Sequence, residues 1–126
     1  MTVSAFASVS LDPPLVLACI DKAASMSAIL LGNTAFAVNI LAEGQHDWSQ
    51  RFADAAMELR FEGIPWHPGS SGAPFIDGAH AHLDCVPWST VDAGDHVILV
   101  GRVVGGSARP GSRPLLYHQG TYGALG

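Results

Sequence analysis

The 126 residues suit a single domain with a modest core. Only 13% of them are charged, the formal net charge is −5, and the six Lys and Arg form no cluster, which excludes a surface built to track a nucleic-acid backbone. No apolar run reaches the length of a membrane-spanning helix and no basic, apolar leader opens the chain, so the sequence predicts a soluble, cytoplasmic protein.

The first 22 residues interleave hydroxyls at Thr2, Ser4, Ser8 and Ser10 with small or apolar side chains. Pro13 and Pro14 then disfavour helix on both sides. The unbroken apolar run 15–20 predicts a strand buried on both faces, ending at the charged pair Asp21-Lys22. Hydroxyls and backbone N–H groups beside a lone Lys are chemistry for a phosphorylated ligand, although serines in a strand are equally ordinary. Residues 23–33 set Met26, Ile29 and Leu30 on one face of a short helix that ends at Gly32-Asn33. Ser25 and Ser27, in its first turn, either cap the helix or offer hydroxyls to an anion.

Residues 36–41 predict a second core strand whose one polar member, Asn39, is expected to bond backbone. A helix over 46–56 turns Trp48, Phe52, Ala55 and Ala56 inward, and 57–72 predicts an irregular surface loop. Cys19 and Cys85 lie in apolar runs without CxxC spacing and read as buried free thiols. Along 79–86 the alternation puts His80, His82 and Asp84 on one strand face. That His-x-His beside Asp is a metal-ligand spacing. With no other His placed nearby, a polar surface facing solvent or a subunit is expected instead. A turn over 90–95 joins this strand to a long one over 96–104. Residues 105–113 predict a flexible polar linker, and 114–123 are too rich in aromatic and polar groups for a mere tail. With 48% hydrophobic residues and so little charge, part of the surface is expected to be covered by a partner subunit.

The string TVSAFASVSLDPPLVLACIDK at 2–22 resembles the signature of the flavin reductase-like family. FAVNILAEGQ at 36–45, GDH at 94–96 and PLLYHQGTYG at 114–123 follow it in the same order. The resemblance implies one domain over 1–126, mostly β with short helices: an FMN-binding split β-barrel of the six-stranded type. Family members carry a further N-terminal stretch with a helix and the first strands, which this chain is expected to lack. The implied activity is an NAD(P)H-dependent flavin reductase that passes hydride from NADH or NADPH to FMN or FAD. It would act as a metal-independent homodimer supplying reduced flavin to a partner monooxygenase. Split barrels of this kind also bind FMN without turnover, as a sensor or assembly subunit, and that is the alternative.

The resemblance also implies sites. Thr2, Ser4, Ser8 and Ser10 with Asp21 and Lys22 would hold the ribityl and phosphate groups of the flavin, and Val3, Ala5 and Val9 belong to the same string. Ser25 and Ser27, then Ser49 and Phe52 from a Ser-x-x-Phe-Ala pattern, complete the flavin site. His96 of the GDH string would assist placement of the nicotinamide, with Tyr117, His118, Gly120 and Tyr122 completing the NAD(P)H site. No catalytic acid, base or nucleophile is expected, because the cofactors carry the hydride chemistry.

Overall fold

The computed structural model describes all 126 residues. In chain order the elements are β1 (Phe6–Leu11), β2 (Pro14–Asp21), α1 (Ser27–Gly32), β3 (Phe36–Ile40), α2 (His46–Asp54), a 3₁₀ turn (Met57–Leu59), β4 (Trp66–Pro68), β5 (Pro74–Ile76), β6 (Ala81–Ala93), β7 (His96–Ala108), β8 (Leu116–His118) and β9 (Thr121–Gly123). The protein is mostly β, with short helices, as expected. Its main sheet has five antiparallel strands in the order β1-β2-β7-β6-β3 and leaves β1 and β3 as free edges, so the sheet is open. No helix is long and apolar enough to cross a membrane.

The apolar run predicted as a strand forms β2, but it is not equally buried on both faces. Val16, Ala18 and Ile20 are buried, whereas Leu15, Leu17 and Cys19 are half-buried, because the other side of the sheet has little of this chain to cover it. The buried face packs with Phe36, Cys85 and Leu99 into the main core. Gly101 on β7 lets the Phe36 ring approach the strand closely: a Cβ there would meet Phe36 Cζ at 2.5 Å.

β6 and β7 form a hairpin of two 13-residue strands, longer than the sequence suggests. The expected turn over 90–95 shrinks to Gly94-Asp95, and 105–108 of the expected linker extend β7. Cross-strand pairing supplies the backbone hydrogen bonds there, so weak strand propensity in a Gly-rich stretch does not end the strand. A register shift between Asp84 and Cys85 buries both consecutive side chains, which simple alternation forbids.

The same region corrects a second expectation. His82 and Asp84 do not face solvent or a subunit; they are 9% and 1% exposed. Within the stretch 57–72 predicted as an irregular loop, Trp66–Pro68 forms β4, which pairs with β5 as a hairpin, with Phe75 of β5 stacked on the His82 ring at 4.6 Å. The connection between these two strands brings Ser70 and Ser71 onto Asp84. Asp84 accepts from Ser70 Oγ at 2.7 Å, from the Ser71 N–H at 2.9 Å and from Ser71 Oγ. His82 Nε2 lies 2.6 Å from the Ile76 carbonyl, and His80 bonds Ser112 Oγ at 2.7 Å.

Asn39 bonds backbone as expected: Nδ2 donates to the Pro74 carbonyl at 3.1 Å and Oδ1 accepts the Ile76 N–H at 2.8 Å, tying β3 to β5. α2 is shorter than predicted. It buries Phe52 and Ser49 and half-buries Trp48; Ala55 falls at its C-cap, and Ala56 is exposed beyond it. Phe52, Ile64 and Ile76 form a second small core. The chain ends in the β8–β9 hairpin, whose two turn residues, Gln119 and Gly120, both take positive φ (50° and 79°), the pattern that two-residue hairpins with a primed turn require.

Candidate functional site

Between the core face of the main sheet, α2 and the C-terminal hairpin lies a cavity of about 930 Å³, large enough for a nucleotide-sized ligand. Most of its lining is apolar, with Ala18, Ile20 and Leu99 from the sheet facing Phe52 and Phe61. Polar groups enter from the N-terminal segment, α2 and the hairpin. Thr2 Oγ1 donates to the Ser49 carbonyl at 2.6 Å, and Tyr122 OH donates to Ser49 Oγ at 3.0 Å. Ser49 therefore joins three parts of the chain that are far apart in sequence. Tyr117 and Tyr122 lie 5.1 Å apart, centroid to centroid, at 55°, and both line the cavity.

Of the residues singled out in the sequence, Thr2, Val3, Ser4, Ser49, Phe52, Tyr117 and Tyr122 line this cavity together. The rest stand elsewhere. Ala5 precedes β1, while Ser8, Val9 and Ser10 lie along it, outside the lining. Asp21 closes β2 and accepts the Ala23 N–H through Oδ1 at 2.8 Å. Lys22 is ion-paired with Asp92 on β6, so its charge is already matched within the chain. Ser25 is exposed, Ser27 is buried, and the six-residue α1 begins without a side-chain cap. His96 opens β7 with Nδ1 2.6 Å from Asp95 Oδ1, and His118 and Gly120 are exposed on the hairpin. The Asp92 and Asp95 carboxyls are held below the usual range by hydrogen bonds from Lys22 and His96 respectively.

One lining residue carried no signal in the sequence. Arg60, just after the 3₁₀ turn, is only 8% exposed. Its Nε donates to the Ala55 carbonyl at 2.9 Å and Nη2 to Ser25 Oγ at 3.4 Å, while Nη1 is the one buried side-chain nitrogen or oxygen without a partner. The Met1 amine lies in the same cavity, and burial, then the Arg60 charge, push its pKa down to about 6. Apolar walls with the Thr2, Ser4 and Ser49 hydroxyls among them make a site that fits a planar aromatic ring bearing a polar arm. Nothing in the local sequence marks Arg60 for burial; the packing of 55–64 against α2 and the contact with Ser25 do.

Residues 1–126 match the family described as flavin reductase like domain. The chain is 42% identical over 125 residues to the flavin reductase (NADH) of Kitasatospora aureofaciens, covering 97% of this chain and 65% of that protein. It is 40% identical over 119 residues to the reductase subunit HsaB of a flavin-dependent monooxygenase of Mycobacterium tuberculosis, covering 93% and 63%. The chain thus spans a little under two thirds of the length of these relatives. Among solved structures it resembles the Streptomyces globisporus NADH:FAD oxidoreductase in complex with NAD and FAD fragments, with a TM-score of 0.95 and 38% identity over 100% of this chain and 76% of that one.

Proposed function

Because the chain belongs over its whole length to the flavin reductase-like domain family, we propose that it is an NAD(P)H-dependent flavin reductase working on FMN or FAD. The observation that carries the proposal is the single cavity in which Thr2, Ser4, Ser49, Phe52, Tyr117 and Tyr122 meet. A bound flavin would supply the acceptor for the hydride that reduced nicotinamide gives up. The protein's share is to hold two flat rings face to face in a site screened from water. Phe52 and the sheet face provide the apolar wall, Thr2 and Ser4 provide hydroxyls for the polar arm, and the paired tyrosines offer an aromatic surface for the second ring. No side chain needs to move a proton for hydride to pass, and the lining supplies no paired acid and base.

His96, set at the mouth of β7 and oriented by Asp95, is proposed to assist the nicotinamide dinucleotide, together with His118 and Gly120 of the hairpin. The relatives that are reductase subunits of monooxygenases support a role in supplying reduced flavin to a separate oxygenase, and a cytoplasmic location is proposed with it. A homodimer is proposed as well, since large apolar side chains such as Leu11 and Trp88 stand exposed on the sheet strands.

The test is an anaerobic spectrum of the purified protein with FMN, before and after NADH. Bleaching of excess flavin by catalytic amounts of protein is the expected result. Flavin that binds but stays oxidised would replace this proposal with a non-catalytic flavin-binding role.

A further inference from the structure

The β8–β9 hairpin is the least anchored wall of the cavity. Leu115, Tyr117 and Tyr122 line that wall, yet no residue from 114 to 126 is buried, so the hairpin has no core of its own. Its base is held firmly. The Glu43 N–H donates to the Arg113 carbonyl at 2.7 Å, the Leu115 N–H donates to the Leu41 carbonyl at 2.8 Å, and the Arg113 side chain bonds both Glu43 and the Leu125 carbonyl. Beyond that base a single hydrogen bond leaves 116–124 for the rest of the chain, from Tyr122 OH to Ser49 Oγ at 3.0 Å. The exposed His46 ring, 6.0 Å from that of Tyr122, adds no polar tie. The other walls are fixed by more: Ile20 and Leu99 belong to the main core, α2 sinks Phe52 into the second core, and the N-terminal segment packs Met1 on the main core before it enters β1. A two-stranded hairpin is marginal on its own. One neutral hydrogen bond is a small closing force.

We propose, on the flavin reading above, that the hairpin is a lid hinged at 113–115 and latched by Tyr122 on Ser49, and that flavin enters and leaves the cavity when it opens. A reductase that hands its product to another protein must release reduced flavin in every cycle, and lids of this kind open on the timescale that turnover needs. The tip lifts and the base stays. Both ends of the hairpin converge on Arg113, whose guanidinium holds Glu43 on the body and the Leu125 carbonyl on the chain end. Tyr117 and Tyr122 face each other across the two strands, so they move together, and opening withdraws the aromatic surface that closing restores. The latch joins two protein hydroxyls and is the same bond in the empty and the filled cavity. Loosening it therefore raises the open fraction equally in both, which speeds entry and escape by one factor and leaves affinity alone. A residue that held the ligand would change escape and affinity together.

The experiment is stopped-flow fluorescence of FMN binding to wild type and Tyr122→Phe, beside hydrogen exchange of wild type without flavin. Tyr122→Phe is expected to raise the association and dissociation rates by the same factor, about two- to tenfold, the worth of one neutral hydrogen bond, with Kd unchanged. Unchanged rates overturn the lid, because flavin then passes elsewhere. Faster dissociation with unchanged association also overturns it, and makes the Tyr122 hydroxyl a ligand contact. Hydrogen exchange needs neither the variant nor the flavin. The β8 and β9 amides of wild type are expected to exchange as a group, about tenfold or more ahead of β2 and β7, while the Leu115 amide at the hinge stays protected. Hairpin exchange as slow as that of β2 and β7, or exchange only together with Leu115, overturns the lid. If wild type does not bind FMN, the reductase reading falls, and the exchange pattern alone keeps or overturns the hinged hairpin.

Discussion

Asp84 shows what one buried carboxylate contributes to this fold. Burial by itself raises its pKa, but the hydrogen bonds from Ser71 and Ser70 outweigh that and hold it below its ordinary value of 3.8. A carboxyl whose folded pKa is depressed stabilises the protein above its unfolded pKa. That stability is lost as pH falls through the folded value. The difference in melting temperature between wild type and Asp84→Asn should therefore hold steady from neutrality to about pH 4 and shrink below it. Asp84→Asn should lose about 1–3 kcal/mol at pH 7, the cost of disrupting buried hydrogen bonds to a charged group, and should show a flatter acid limb. A variant with an unchanged melting temperature at pH 7 would show that the Ser70-Ser71 turn is held onto β6 by packing alone. From the sequence, Asp84 and His82 look like an exposed strand face, since alternation says which residues share a face but not what lies across from it. Arg60 was illegible for the same reason.

At the scale of elements, the cavity depends on the β8–β9 hairpin being tied to α2. The tie is the hydrogen bond from Tyr122 OH to Ser49 Oγ, supported at the base by the Leu115 N–H to the Leu41 carbonyl at 2.8 Å and by the Arg113–Glu43 pair. The ion pair is exposed and contributes little. Tyr122→Phe keeps the ring and removes the tie, at a cost of about 0.5–1.5 kcal/mol. Hydrogen exchange of the β8 and β9 amides should then speed up by about tenfold or less, with β2 and β7 unchanged, because the loss is local. Exchange that stays the same in the hairpin would assign its docking to the base contacts instead. The sequence marks 114–123 only as more than a tail; the positive φ at Gln119 and Gly120 that closes the hairpin, and its docking onto α2, 73 residues away along the chain from Tyr122 to Ser49, are seen only in the structure.

For the whole molecule, the half-buried outer side of β2 and the exposed Val9, Leu11, Trp88 and Val91 leave more apolar surface than a solitary small domain usually shows. Sedimentation is expected to find twice the chain mass, and Leu11→Asp with Trp88→Asp is expected to give the monomer; a wild-type monomer at micromolar concentration would reject the proposed homodimer. The core strands at 15–20 and 36–41, the two short helices, the pair of strands on either side of Gly94-Asp95, and the family follow from the sequence alone. They rest on local geometry: a period of two, prolines that stop helices, and motifs whose residues are neighbours along the chain. Only the tertiary structure decided that Thr2, Ser49 and Tyr122 meet, that Lys22 is spent on Asp92, that Asp84 is buried and that Arg60 is left with a free donor. Each of these depends on contacts between distant segments, and burial and charge pairing arise from which segments pack together, a property no stretch of residues carries by itself.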